Sequence, residues 1–114
     1  MGSQESIVIR DNTDIKVVDI NQDLGSYVAS DLRKTLEDLV SRKAEKIVVN
    51  LSRVEHINST AIGVLVGVAK RLRQKGGDLK VYGLADHIKR TFDLIGASSV
   101  VEIYESENRA VAAF

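Results

Sequence analysis

The sequence predicts an α/β domain, with a mixed, mostly parallel sheet of four to five strands that opens with a β-hairpin and carries about four helices. Three observations predict it. Runs of β-branched residues alternate along the chain with stretches in which apolar residues recur every three or four positions. Such alternation implies parallel strands joined by right-handed crossovers. The first two apolar runs are separated only by a polar turn, which makes that pair antiparallel. The run Lys46-Ile47-Val48-Val49-Asn50-Leu51 is apolar through its middle without alternation, as a central strand covered on both faces requires.

Taken in order, Ile7-Val8-Ile9 and Ile15-Lys16-Val17-Val18-Asp19-Ile20 form the hairpin around Asp11-Asn12-Thr13-Asp14. Val28, Leu32, Leu36, Leu39 and Val40 then mark one face of a first helix, with Asp31, Arg33, Lys34, Glu37 and Asp38 on the other side. Ser26 is its expected N-cap. After the central strand comes a short loop, Ser52 to Ile57, and then Asn58-Ser59-Thr60. Ile62, Leu65, Val66, Ala69 and Leu72 predict a second helix. Arg71, Arg73 and Lys75 lie at its negative pole, and Gly76-Gly77 supplies a left-handed stop. Leu79 to Tyr82 reads as a strand. Ile88, Phe92 and Ile95 read as a third helical stripe ended by Gly96, and Val100 to Tyr104 as a short last strand. Ser106 then caps a small terminal helix running through Arg109, Val111 and Phe114. With no proline and no linker-like segment, residues 1–114 read as one domain.

Composition narrows the function classes. The chain has 114 residues, 44% hydrophobic and 28% charged, which is a globular balance. Sixteen basic residues offset sixteen acidic ones and the two signs are interleaved, so nucleic acid is not the expected partner. The chain contains no cysteine, which excludes disulfides and thiolate metal sites. The N-terminus lacks the basic-then-apolar pattern of a secretory signal. Gly2 and Ser6 fit the loose myristoylation pattern, but nothing polybasic follows, and an ordinary start or a cloning scar is the simpler reading. The longest apolar run, Ala61 to Ala69, is about half the ~20 residues of a spanning helix. The expectation is a soluble, cytoplasmic protein with no membrane partner.

Enzymatic chemistry finds little support. His56 and His87 lack partners at metal-binding spacing and read as loop or surface residues, so no metal or cofactor is expected. Gly63 and Gly67 are not followed by the Gly-Lys-Ser/Thr of a phosphate-cradling loop, and close packing of their helix on the sheet is the expected reason for them. Asn58-Ser59-Thr60 matches a glycosylation acceptor, a match without meaning in the absence of a secretory signal. What remains is the strand–loop–helix junction itself. Three small polar side chains at a helix start suit simple capping. They also suit anion handling, because a phosphate on Ser59 would meet the positive end of the helix.

The segment Val54-Glu55-His56-Ile57-Asn58-Ser59-Thr60-Ala61-Ile62-Gly63-Val64-Leu65-Val66-Gly67 resembles the signature of the STAS domain. It looks most like that of the bacterial anti-sigma-factor antagonists, whose fold is the SpoIIAA-like class. The likeness extends to Ala29-Ser30-Asp31-Leu32-Arg33, to Ile47 through Leu51, and to Phe92-Asp93-Leu94-Ile95-Gly96. The resemblance implies a non-enzymatic partner switch. The unmodified protein would bind an anti-sigma factor that is also a serine kinase of the histidine-kinase-like ATPase type, and so release a sigma factor. Phosphorylation of the serine heading the helix, here Ser59, would break the complex, and a metal-dependent serine phosphatase would restore it. Asn58, Thr60 and Ala61 would flank that serine at the interface, with Gly25, Ser26 and Tyr27 nearby. Where the family pattern has Asp and Gly, this chain has Asn58 and Ala61, and Gly25 stands where an Asp is common. Related domains also serve as interaction subunits of transporters and stress-sensing complexes, where Ser59 would be a cap and contact only. Nucleotide binding is a third reading, for which nothing specific stands in the sequence.

Overall fold

The computed structural model describes residues 5–114, so Gly2 lies outside the described residues. Strand β1 (Ile7–Asn12) pairs antiparallel with β2 (Ile15–Ile20), Ile9 opposite Val18. The turn between them is tighter than the sequence predicts. Asp11 and Asn12 belong to the strand, and Thr13 takes the left-handed conformation at φ 58°. The chain continues through α1 (Ser26–Ser41), β3 (Lys46–Asn50), α2 (Ser59–Gln74), β4 (Asp78–Tyr82) and α3 (Asp86–Leu94). A 3-10 turn (Ala97–Ser99), β5 (Glu102–Tyr104) and α4 (Glu107–Ala112) complete it. The five strands lie side by side in chain order, and every pair after the first is parallel.

Strand β3 occupies the middle of the sheet, and its Ile47, Val48 and Val49 are fully buried, as its unbroken apolar run predicts. One face of the sheet, with Val18, Ile20, Ile47, Val49, Leu79 and Val81, packs against the stripes of α1, α2 and α3 in the main core. Burying each aliphatic side chain contributes about 1.5–3 kcal/mol relative to leaving it exposed. On α2 the buried stripe is wider than predicted, because Val64 and Val68 join it while Val66 is only half-buried. On α3 the stripe is shorter. Ile88 and Phe92 are buried, but the helix ends at Leu94 and Ile95 is exposed, since the left-handed Gly96 turns the chain away before another helical turn forms.

The other face is covered by α4. Ala110 packs with Ile15, Val17, Val48 and Tyr82 in a smaller apolar cluster joined by Phe114. Around it runs a polar network. Arg10 Nη2 donates to Glu107 at 2.8 Å and its Nε to Asp19 at 2.5 Å, and both Asn12 Nδ2 (2.8 Å) and the Tyr82 hydroxyl (3.1 Å) donate to Glu107. Hydrogen bonds from Arg10 hold the Asp19 and Glu107 carboxyls below their usual range, and burial pushes the Tyr82 phenol up to about 12. The nearly buried Lys80 donates to Glu102 at 2.6 Å and to Asp78 at 3.2 Å, and lies 4.9 Å from the Phe114 ring centroid.

The stops of α1 and α2 use one geometry with different residues. At α2, Gly76 N–H reaches Arg73 C=O and Gly77 N–H reaches Leu72 C=O, with Gly76 at φ 87°. A Cβ on Gly77 would lie 2.1 Å from the Glu45 carbonyl oxygen, so that position has room for glycine only. At α1 the same bonds run from Lys43 to Val40 and from Ala44 to Leu39, but Lys43 occupies the left-handed position at φ 69°.

Two further sequence expectations need correction. Ser26 does not cap α1. It is the first helical residue, and the cap position falls to Gly25, which has no side chain to cap with. Gly63 and Gly67 do not pack on the sheet. Both are exposed, and a Cβ at either would meet nothing within 4 Å.

Candidate functional site

Because β2 and β3 are parallel, the loops leaving Ile20 and Asn50 emerge at the same edge of the sheet, and each runs into a helix start. A two-residue pairing beyond the strands ties them together. Leu24 bridges Ile57 in parallel register, its N–H donating to His56 C=O and its C=O accepting from Asn58 N–H, both at 2.9 Å. Leu24 is itself buried, which fixes the pair to the core. The first turns of α1 and α2 therefore stand next to each other.

At α2 the cap is Asn58, in extended conformation at φ −86° and ψ 165°, whose Oδ1 accepts the Ala61 N–H at 2.8 Å. This is simple capping, and Asn58 performs it rather than Ser59. Ser59 and Thr60, the first two residues of the helix, are exposed. Ala61 is fully buried, so its part in the site is the N–H given to Asn58. Across the bridge, Gly25 and Ser26 are exposed and Tyr27 stands 90% exposed. The structure thus brings Gly25, Ser26, Tyr27, Asn58, Ser59 and Thr60 to one edge. Below Thr60, the exposed Gly63 and Gly67 line a shallow groove between α1 and α2 with Arg33, Glu37 and Arg71.

The first turns, Ser26-Tyr27-Val28 and Ser59-Thr60-Ala61, carry no charge of their own. Free backbone N–H groups and the positive ends of two helices meet at this edge. A phosphate on Ser59 would meet the positive end of α2 and would change the charge of the surface sharply. The helices that join the parallel strands all pack on one face, so the strand ends, among the described residues, present a surface without the crevice that opens where connections switch faces.

Two residues at this edge escape a reading of the sequence. Asp23 Oδ1 accepts from the N–H groups of Glu55 (2.8 Å) and His56 (3.2 Å), and those bonds hold its carboxyl below the usual range. A ring nitrogen of His87, in the first turn of α3, bonds the Glu55 carbonyl, and the His56 and His87 rings lie 6.3 Å apart. Aspartate in a loop is a signal for backbone hydrogen bonding, but nothing in its neighbourhood reveals a partner 32 residues away. Both histidines are surface residues, as expected.

The chain matches known proteins along most of its length. The family model of the STAS domain matches residues 6–110. The anti-sigma-B factor antagonist of Listeria monocytogenes is 31% identical over 103 residues, 90% of each chain. A crystal structure of an anti-sigma factor antagonist from Mycobacterium paratuberculosis superposes with a TM-score of 0.85 at 20% identity, over 94% of this chain and 91% of that one. The anti-sigma factor antagonist SpoIIAA in its unphosphorylated form gives 0.75 at 13% identity, over 94% of each. At those identities the structures speak for the fold. Among the described residues no helix is long and apolar enough to cross a membrane.

Proposed function

The chain belongs to the STAS domain family, and from that premise we propose that it is an anti-sigma-factor antagonist of a partner-switching pathway. It binds an anti-sigma factor that is also a serine kinase of the histidine-kinase-like ATPase type, and thereby frees a sigma factor in the cytoplasm. The contact is made by the paired helix starts, with Gly25, Ser26 and Tyr27 on one side and Asn58, Ser59 and Thr60 on the other. Ala61 supports them from within. Phosphorylation of Ser59 ends the interaction, and a serine phosphatase restores it.

The observation that carries this reading is the position of Ser59. It is exposed at the first position of α2 and relieved of capping by Asn58. A hydroxyl so placed is accessible to a kinase. A phosphate would add about −1.5 to −2 charge at neutral pH, a large change at first turns that carry no charge of their own. The names of relatives such as the Listeria antagonist support the general role.

The test has two arms. With its cognate kinase and ATP the chain should gain one phosphate, Ser59→Ala should abolish it, and mass spectrometry should place it on Ser59. Calorimetry should show Ser59→Asp weakening the anti-sigma factor. Phosphate at another residue, or unchanged affinity for Ser59→Asp, would remove Ser59 from the mechanism. Capture of a transporter subunit in place of a kinase would favour the role of a plain interaction module.

A further inference from the structure

The geometry points to Asp23 and His87 as positioning residues, which hold the loop of residues 52–57 and with it the start of α2 in the form a partner meets. The inference rests on the antagonist reading above. Glu55 and His56 lie outside any helix or strand, and the backbone polar groups of such a loop need partners from elsewhere. Here those partners come from two flanks. Asp23 takes both N–H groups from the side of α1, and His87 takes the Glu55 carbonyl from the side of α3. Leu24, next to Asp23, adds its own N–H to His56 and its C=O to Asn58. Asp23-Leu24 is thus a strap with four hydrogen bonds across residues 55–58, ending on the residue that caps α2.

Asp23 does this from an exposed position. Its side chain fills no part of the core, so removing it opens no cavity. Its carboxyl, lowered by the two N–H bonds, stays ionised at neutral pH and keeps the charge-assisted form of both bonds. The benefit is preorganisation: a loop already fixed spares the partner the entropy of ordering it. Asn58-Ser59-Thr60 is then presented in one arrangement rather than several.

The test compares Asp23→Ala, Asp23→Asn and His87→Ala in the full chain by amide hydrogen exchange, urea denaturation and affinity for the anti-sigma factor bound by wild type. Asp23→Ala should speed exchange of the Glu55 and His56 amides by about tenfold or more, leaving the β3 amides unchanged. Affinity should fall about three- to tenfold with the denaturation midpoint little moved. Asp23→Asn keeps an acceptor without the charge and should fall between, and His87→Ala should weaken binding about two- to threefold. Unchanged exchange at Glu55 and His56 would overturn the strap itself. Faster exchange with wild-type affinity would overturn its role in presentation. Should wild type bind no anti-sigma factor, the antagonist reading fails, while exchange still decides whether Asp23 holds the loop.

Discussion

Helices α1 and α2 have the same length, sixteen residues, start at the same edge and pack against each other, yet they are secured differently. Helix α2 is fastened at both ends, by the Asn58 cap and by Gly76 in the left-handed stop, and gives up stability in its middle, where Gly63 and Gly67 face solvent. Helix α1 has the reverse arrangement. Its cap position is Gly25 and its left-handed stop is Lys43, while its interior is free of glycine. A glycine in a helix interior costs about 1 kcal/mol relative to alanine, and a non-glycine residue in the left-handed region costs about 1–2 kcal/mol. The helix that carries Ser59 therefore has a side-chain cap for its first turn, whereas α1 has none, and the Leu24–Ile57 bridge ties the two starts together.

The largest expected effects test what the two helices share. Leu36→Ala on α1 and Leu65→Ala on α2, both fully buried, should each cost about 2–5 kcal/mol in urea denaturation. A large gap between them would mean that the core does not serve both helices alike. Next come the fastenings of α2: Asn58→Ala and Gly76→Ala should each cost about 1 kcal/mol, and Asn58→Ala should also loosen exchange protection in the first turn. At the equivalent end of α1 the sign should reverse, with Lys43→Gly raising stability by about 0.5–1 kcal/mol in the same assay. The smallest effect is Gly25→Asn, which gives α1 the side chain it lacks and should add about 0.3 kcal/mol, read as a small rise in melting temperature.

The same contrast explains what could be read from the sequence. Local signals translated directly: Gly76-Gly77 as a stop, Ser106 as the cap that accepts the Arg109 N–H, the β3 run as a doubly covered centre. The hairpin, the strand–helix alternation and the place of Asn58-Ser59-Thr60 at the start of α2 followed from period and spacing. Signals with two meanings failed. Ser26 is a good capping type one position too late, and Gly63 and Gly67 suggest close packing without saying on which side of the helix they lie. Lys43 shows no signal at all, because a left-handed lysine is imposed by the geometry of the stop. The Arg10–Glu107 pair, the Asp23 strap and the bond from His87 join distant parts of the chain, and pairings of that kind are set by topology rather than by local sequence.

Strand order in the sheet repeats strand order in the chain, and this has a kinetic consequence. Each new strand can add to an edge that its predecessor has already formed, so the sheet can grow in the direction of synthesis with short loop closures. Helix α4 reaches back against that direction: Glu107 meets Arg10 across 97 residues. Such an order of assembly predicts that α4 docks after the folding barrier. Substitutions at Glu107 should then quicken unfolding and leave the folding rate near that of wild type in stopped-flow measurements. The Arg10–Glu107 contact thus ties a hairpin and a helix that lie 97 residues apart.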